Sequence, residues 1–518
     1  MSDAREDADR PPAAHISGRR RVMTRTLGGD RRRVAVSTVS QVVGQLVSAG
    51  LAVITLRILT RTLGVAQYGV YATAFAVVTT FALIADIGVT AITGREIAKN
   101  PDRAEEIIGD NMGLRIAMCV AAWPVVVGVS FILYPHGSLL VHECVAILAA
   151  TIPLNGIQWV ALAYFAARVH SEVAAMIGTG QQVIMLGLSA VVAVHEHSAL
   201  AFVLVYLIAN AFAAAAAVTA CSRFIRIRPR ADWTRWRAIL RMSVSLGIIQ
   251  IINLLYLRAD SLVISTILGS AAVGVYTVAY SLLQPALSVP TFFMAALMPS
   301  MTRADPAALS AMVRRAYRYV ATAAMLMAAG GYAVRVDAVT TVSSSEFLGA
   351  ATPFAILAGA AIFSYLNNVM GYAATAIDKQ HRFVRVSIAA FVLNVALNLA
   401  LVPAFGLNGA ASATVATEVI SFCGIVYVFR ADTGIRFDLV RPVIEPVVAA
   451  LVTVAVVIVL PLRETVDNAL LRLILDIVEV VVLYSVAFAA LVAAPRLVRR
   501  GHDDGERDLP ARRESLSG

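Results

Sequence analysis

The sequence is poor in most of what a soluble enzyme carries. It has two lysines, Lys99 and Lys379, so a formal charge of +10 rests almost wholly on arginine. Charged residues of both signs make up 15% of the chain, against roughly a quarter in soluble domains. The four cysteines, Cys119, Cys144, Cys221 and Cys423, are far apart and form no CxxC pair, which excludes a disulfide framework and leaves them as small apolar fillers. No GxxxxGK[ST] motif is present, so no ATPase is built in. No Ser/His or paired-carboxylate motif lies in a loop large enough for an active site, so the chain reads as a non-enzyme without cofactor or metal. Strand-like alternation is missing too, which excludes a barrel.

What is present is apolar. Hydrophobic residues reach 59% with a mean hydropathy of +0.77, and runs of about 20 apolar residues, long enough to span a bilayer as helices, recur along the chain. The fold class is all-α integral membrane, with fourteen spans near 34–59, 69–93, 112–134, 143–166, 173–194, 198–220, 243–268, 272–298, 317–338, 350–376, 383–404, 408–429, 443–462 and 470–494. Arginines cluster in the loops after even-numbered spans, while loops after odd-numbered spans hold almost none apart from Arg61, Arg335 and Arg463. By the positive-inside rule both termini are then cytoplasmic, and the basic balance reflects topology rather than nucleic-acid binding.

One segment occurs twice. At an offset of 205 positions, Leu63 through Ala74 lies over Leu268 through Ala279, with seven of twelve positions identical, and Pro101 lies over Pro306. Each copy reads as a helical hairpin with a short turn. The copies begin at the first and seventh spans, so they point the same way: two parallel six-helix repeats, with any cavity between them. The expected organisation is a disordered basic tail (1–33), an N-lobe (34–220), a linker with an interfacial helix (221–242), a C-lobe (243–430), a C-terminal helix pair (443–495) and a second cytoplasmic tail (496–518).

Charges inside spans are costly and usually face a cavity or a partner. Arg57 and Arg61 share one face at the outer end of span 1, and Arg258 with Asp260 sits in the outer half of span 7. Guanidinium groups at similar depth suit an anionic cargo, a diphosphate above all. The alternative is that Arg57 and Arg61 snorkel to the interface and Arg258 neutralises Asp260. Asp86 in span 2 and Glu418 in span 12 are ion-coupling candidates; Asp86 could instead pair with an arginine or support packing beside Gly88. Arg95 and Glu96 could form a gate at the mouth of span 2, or a solvated helix end. The fragments His195-Glu196-His197 and His136 with His142-Glu143 are weak metal-site patterns.

The hairpin Arg61-Thr62-Leu63-Gly64 through Tyr68-Gly69-Val70-Tyr71, with Asp86-Ile87-Gly88, the copy from Asp260 through Leu268-Gly269 to Gly274-Val275-Tyr276, and Phe405-Gly406-Leu407-Asn408-Gly409-Ala410-Ala411, resembles the polysaccharide and lipid-linked oligosaccharide flippases of the MOP superfamily. That superfamily also contains the MATE exporters and the lipid II flippase. The resemblance covers roughly residues 34–430. It implies MATE-like lobes with alternating access, moving a polyprenyl-diphosphate-linked glycan from the inner to the outer leaflet of a bacterial plasma membrane. The implied partners are that glycan lipid, membrane lipids and the glycosyltransferases or polymerase around it, for a monomer that binds no nucleic acid. A MATE-like multidrug or cation antiporter is the alternative. A major-facilitator transporter would want Gly-x-x-x-Asp-Arg between spans 2 and 3, where the chain has Gly94-Arg95-Glu96-Ile97-Ala98-Lys99.

Overall fold

In hydrocarbon no water satisfies a backbone N–H or C=O, so apolar runs must close their hydrogen bonds internally as helices. A computed structural model describes residues 16–84, 86, 88–135, 138–168, 171–433, 439–459 and 468–514, and among these no strand occurs. The first half holds α1 (Ile16–Ile84), α2 (Val89–Lys99), α3 (Ala104–Leu133), α4 (Leu139–Ala149), α5 (Thr151–Ala167), α6 (Ser171–His195) and α7 (Ala199–Ser222). The second holds α8 (Trp233–Ile267), α9 (Ser270–Met301), α10 (Pro306–Ala333), α11 (Arg335–Val342), α12 (Ala351–Ala376) and α13 (Val384–Thr433), followed by α14 (Arg441–Val459) and α15 (Ala469–Glu514). Among the described residues ten helices are long and apolar enough to cross a membrane, or eleven if α10 and α11, bent by 70°, count as one. The chain is an integral membrane protein.

Two helices merge what hydropathy separates. Gly64 (φ 63°, ψ −178°) breaks α1 into two arms, and Gly406 (φ 59°, ψ −136°) breaks α13. Gly269, 205 positions after Gly64, caps α9 with φ 86° and ψ 175°. An extended backbone at positive φ is essentially restricted to glycine. The repeated Leu-Gly is therefore a turn that no other residue makes without strain. The turns expected in sequence sit where these glycines are.

In the first half α1 packs on α6 and α4, and α5 lies between α3 and α7; in the second, α12 sits among α9, α10 and α13. The C-terminal pair α14 and α15 joins through α10 and α11. The two ends of the chain depart from the expected tails: α1 begins at Ile16 and α15 continues to Glu514. Extending a helix costs less than nucleating one, so polar residues continue what the apolar run starts. The expected interfacial helix at 232–241 is the first part of α8. Asp232 caps it, accepting from the N–H groups of Thr234 and Arg235 at 2.9 and 3.3 Å. Trp236 and Leu240 pack on Val89, Leu114 and Ile239, leaving Trp233 exposed.

The halves meet through the repeat itself. A Cβ added to Gly274 would lie 2.8 Å from Gly69 Cα, and one on Gly69 would lie 2.4 Å from the Ser270 oxygen. The second arm of α1 and the start of α9 thus touch backbone to backbone, a contact only small residues allow. Tyr68 stands beside it, edge-on to Phe347 at 5.8 Å. Overpacking costs about 1–3 kcal/mol, so Gly274→Val should shift the equilibrium between joined and separated states roughly tenfold toward the separated one. A Ser281→Cys thiol beneath the contact, in a Cys423→Ser background, is then expected to react about tenfold faster with a membrane-impermeant maleimide. Gly128→Val, at a site with nothing within 4 Å, should leave that rate unchanged.

Candidate functional site: a cavity between the two halves

Directly below the Gly69–Gly274 contact lies a cavity of about 410 Å³ walled by both halves. Tyr68, Tyr71 and Phe75 recur at three- and four-residue spacing and so share one helical face. Their rings follow one another along the wall: Tyr68 and Tyr71 at 6.1 Å, Tyr71 and Phe75 at 6.1 Å, Phe75 edge-on to Tyr206 at 5.3 Å. Gln45, Gln182 and Gln284 bring amides from α1, α6 and α9 to the same space. Pro285, also in the wall, has no N–H, so the helix supplies no donor to the carbonyl of Ser281. Pro290 does the same to Ala286, whose oxygen instead accepts from the Tyr365 hydroxyl at 2.5 Å.

Arg258 stands at the edge of this cavity, half-buried, its guanidinium 5.9 Å from the centre of the Phe75 ring. It makes no ion pair with Asp260. That carboxylate, buried and 7% exposed, accepts from the Tyr276 hydroxyl at 2.9 Å, the Asn398 amide at 2.8 Å and the Thr414 hydroxyl at 2.8 Å. Asp260 and Glu418 instead share a second, smaller cavity of about 80 Å³ within the second half, with Tyr280, Asn394 and Thr414. Glu418 accepts from the Asn367 amide at 2.9 Å. Two residues apart on α8, Arg258 and Asp260 have different neighbours: Arg258 lies over the Phe75 ring at the large cavity, while Asp260 lines the smaller one.

Arg57 and Arg61 do not wall the large cavity. They reach across to the end of α11, where carbonyls have no helical partner. Arg57 donates to the Thr341 oxygen, and Arg61 to the oxygens of Ser343 at 2.7 Å and Thr340 at 3.3 Å. Two cations at the negative end of a helix form a latch between the halves, at the same end as the Gly69–Gly274 contact.

Asp86 has a partner that the sequence reading passed over. Arg115 of α3, 1% exposed, meets it at 2.8 Å, and the Thr90 hydroxyl donates to the same carboxylate oxygen at 2.7 Å. The guanidinium also lies 5.5 Å from the Trp159 ring. The signal was available: Arg115 is a charge inside the apolar run 112–134, the rule applied to Arg258 and Asp86. Arg95 and Glu96 do not pair. Glu96 lies 3.7 Å from Lys99, and Arg95 is exposed. The ion cluster at that end is elsewhere, where Arg235 of α8 contacts Asp110 of α3 at 2.8 Å together with Glu106 and Asp232. Hydrogen bonds from Arg235 to Asp110 and Glu106 hold its guanidinium above its ordinary pKa.

His142 is buried in α4, its Nδ1 3.1 Å from the Ser130 hydroxyl and its ring stacked on Phe131 at 4.1 Å. His136 lies outside the described residues. Among the described residues no group of three or more His, Cys, Asp and Glu could hold a metal.

Removing one member of a buried ion pair costs about 3–5 kcal/mol because the other charge is stranded. Arg115→Leu should therefore lower the thermal unfolding temperature in detergent sharply. Adding Asp86→Asn to it is expected to recover at least about half of the loss, since no buried charge then remains.

A family model for polysaccharide biosynthesis proteins matches residues 34–305. No curated protein sequence matches the chain. Among solved structures, the lipid II flippase MurJ in an inward closed conformation superposes with a TM-score of 0.65 at 11% identity, covering 89% of this chain and 100% of that one. An inward-facing multidrug resistance MATE family transporter of the MOP superfamily gives 0.61 at 13% identity, covering 76% and 94%. A MOP superfamily transporter from Pyrococcus furiosus gives 0.56 at 11% identity, covering 77% and 95%. The paired halves with a cavity between them are thus a MOP-type transporter fold, and a chain matched by the family model over more than half its length belongs to the polysaccharide biosynthesis protein family.

Proposed function

We propose that this chain is a flippase that carries a polyprenyl-diphosphate-linked oligosaccharide from the inner to the outer leaflet of a bacterial plasma membrane by alternating access. The observation that carries this reading is the cavity between the halves, whose wall offers aromatic faces and amides with one guanidinium, Arg258, at its edge. Sugars need the former and a diphosphate the latter. A cationic drug would want a carboxylate there, and the described residues of the cavity wall include none.

In this reading the arms of α1 and α13 on either side of Gly64 and Gly406 cross separately, and α8 and the bent pair α10–α11 cross once each, for fourteen crossings in all. They divide into two parallel six-helix lobes, 34–220 and 243–430, joined by the linker 221–242 and followed by a C-terminal pair. With both termini cytoplasmic, the Gly69–Gly274 contact and the latch lie at the outer side, and cargo enters from the inner side.

Arg258 takes the diphosphate first. Arg57 and Arg61 hold α11 carbonyls while the outer side is shut, and they can exchange those neutral oxygens for phosphate oxygens as the cargo arrives. Hydrogen bonds to an ionised acceptor are the stronger ones, so the exchange favours release of the latch. Asp260 and Glu418, which line one small cavity, are the pair to which this reading assigns a proton or a monovalent cation, with coupling in the second lobe. Asp86 is already neutralised by Arg115 and acts as a strut. The chain breaks and makes no covalent bond in this cycle; glycosyltransferases supply its cargo and a polymerase or ligase consumes it.

A strain lacking the chain should accumulate one polyprenyl-diphosphate-linked glycan, detected by mass spectrometry of extracted lipid. The wild-type chain should clear it. Arg258→Ala, losing a charge-assisted contact worth about 1.5–3 kcal/mol, should clear it at roughly a tenth of the rate or less. An unchanged lipid profile with new sensitivity to cationic drugs would replace this reading by a MATE-like antiporter. Asp260→Asn is expected to remove the dependence of transport on an ion gradient while leaving exchange at equilibrium.

A further inference from the structure

Among the described residues lining the large cavity there is no Asp, Glu, Lys, Arg or His. The sequence extends that statement along most of α1, α6, α7 and α9 and the part of α8 before Arg258, the exception being the stretch around Leu59, where Arg57 and Arg61 turn to the α11 carbonyls. Residues 34–56, 65–84, 173–194, 199–222, 245–257 and 270–301 contain none of the five. Arg258 follows directly at one edge. Among the described residues the lining is thus uncharged, aromatic and aliphatic with interspersed amides and hydroxyls, and the Arg258 guanidinium stands at one side.

From this we infer that the sugar carried in the cavity is uncharged: a neutral or N-acetylated hexose or pentose next to the diphosphate, and not a uronic acid or a phosphorylated sugar. The inference rests on the flippase reading and narrows its cargo. A carboxylate moved from water into this space would lose its hydration and find no cation among the described lining residues, while the guanidinium groups around it, Arg258 and then Arg57 and Arg61, are taken by the diphosphate. A buried charge without a partner is strongly disfavoured. A neutral sugar loses less and regains it. Its hydroxyls each donate and accept, and so do the amides of Gln45, Gln182 and Gln284. The Ser281 carbonyl, released by Pro285, adds an acceptor of the kind a sugar hydroxyl fills. The apolar C–H faces of the ring suit the negative faces of Tyr71, Phe75 and Tyr206. At about 410 Å³ the space lies within the roughly 300–1,000 Å³ span of small-molecule sites.

The test uses the full chain reconstituted in vesicles with two lipids that differ only in the sugar: undecaprenyl diphosphate carrying N-acetylglucosamine, and the same carrier bearing glucuronic acid. Impermeant periodate added outside oxidises the vicinal diol of whichever sugar is exposed, and mass spectrometry follows the fraction converted with time. The N-acetylglucosamine lipid should equilibrate at least about tenfold faster, a discrimination of about 1.4 kcal/mol. Gln284→Lys, or Gln182→Lys from the other half, should shrink that ratio by raising the relative rate of the glucuronic acid lipid. A variant that folds poorly slows both lipids and leaves the ratio readable. Both lipids moving at equal rates, or the acidic one faster, would overturn the inference and leave the flippase reading standing. Neither lipid moving with the wild-type chain would overturn both.

Discussion

The approach of Gly69 to Gly274 sets what the rest of the structure can do. Two helices from different halves touch backbone to backbone at equivalent positions of a repeated segment, a contact that any Cβ would push apart. Everything near it follows from that distance. The turns at Gly64 and Gly269 bring both helices to one end of the molecule. Tyr68, Tyr71 and Phe75 then fall on the wall immediately below, and the end of α11 comes within reach of Arg57 and Arg61. Around the two glycines, Leu63, Tyr68 and Tyr71 of the first half and Val273, Tyr276 and Phe347 of the second belong to one buried apolar cluster, so the close backbone approach is what lets these side chains meet.

The charges set within or beside apolar helical runs show four different answers to one problem. Asp86 is balanced by Arg115. Asp260 is held by three neutral donors. Arg57 and Arg61 lean on carbonyls at a helix end. Arg258 rests over an aromatic face. An ion pair neutralises its members and stays put. A carboxylate held by hydroxyls and amides, or a guanidinium over a ring, has neutral partners and so leaves its charge to be balanced by something else. The difference separates a strut from a site.

Much of this was legible in the sequence. The apolar runs, the repeat and its glycines needed only the length of a membrane-spanning helix and the backbone freedom of glycine, both local properties. The depth of Arg57, Arg258, Asp86 and Glu418 could be read in the same way, because position along a helix is position across the bilayer. Arg115 was legible as well, since an arginine within an apolar run stands out as clearly as an aspartate.

Partnership was a different matter. Which way a helix is rotated, and which helix faces it, depends on packing between segments far apart in the chain. Arg258 and Asp260 look like a pair because they are two residues apart, yet in a helix that spacing turns them about 200° away from each other. Only the assembled halves bring Asp260 to Glu418, Asp86 to Arg115, and Arg57 to a carbonyl 284 positions away. The sequence by itself determined the class of molecule, an all-helical membrane protein, and the glycine turns, since these follow from hydropathy and backbone geometry along one segment. The tertiary structure decided which charge meets which partner and where the cavity lies, because those depend on the rotation and contact of helices that no local pattern encodes.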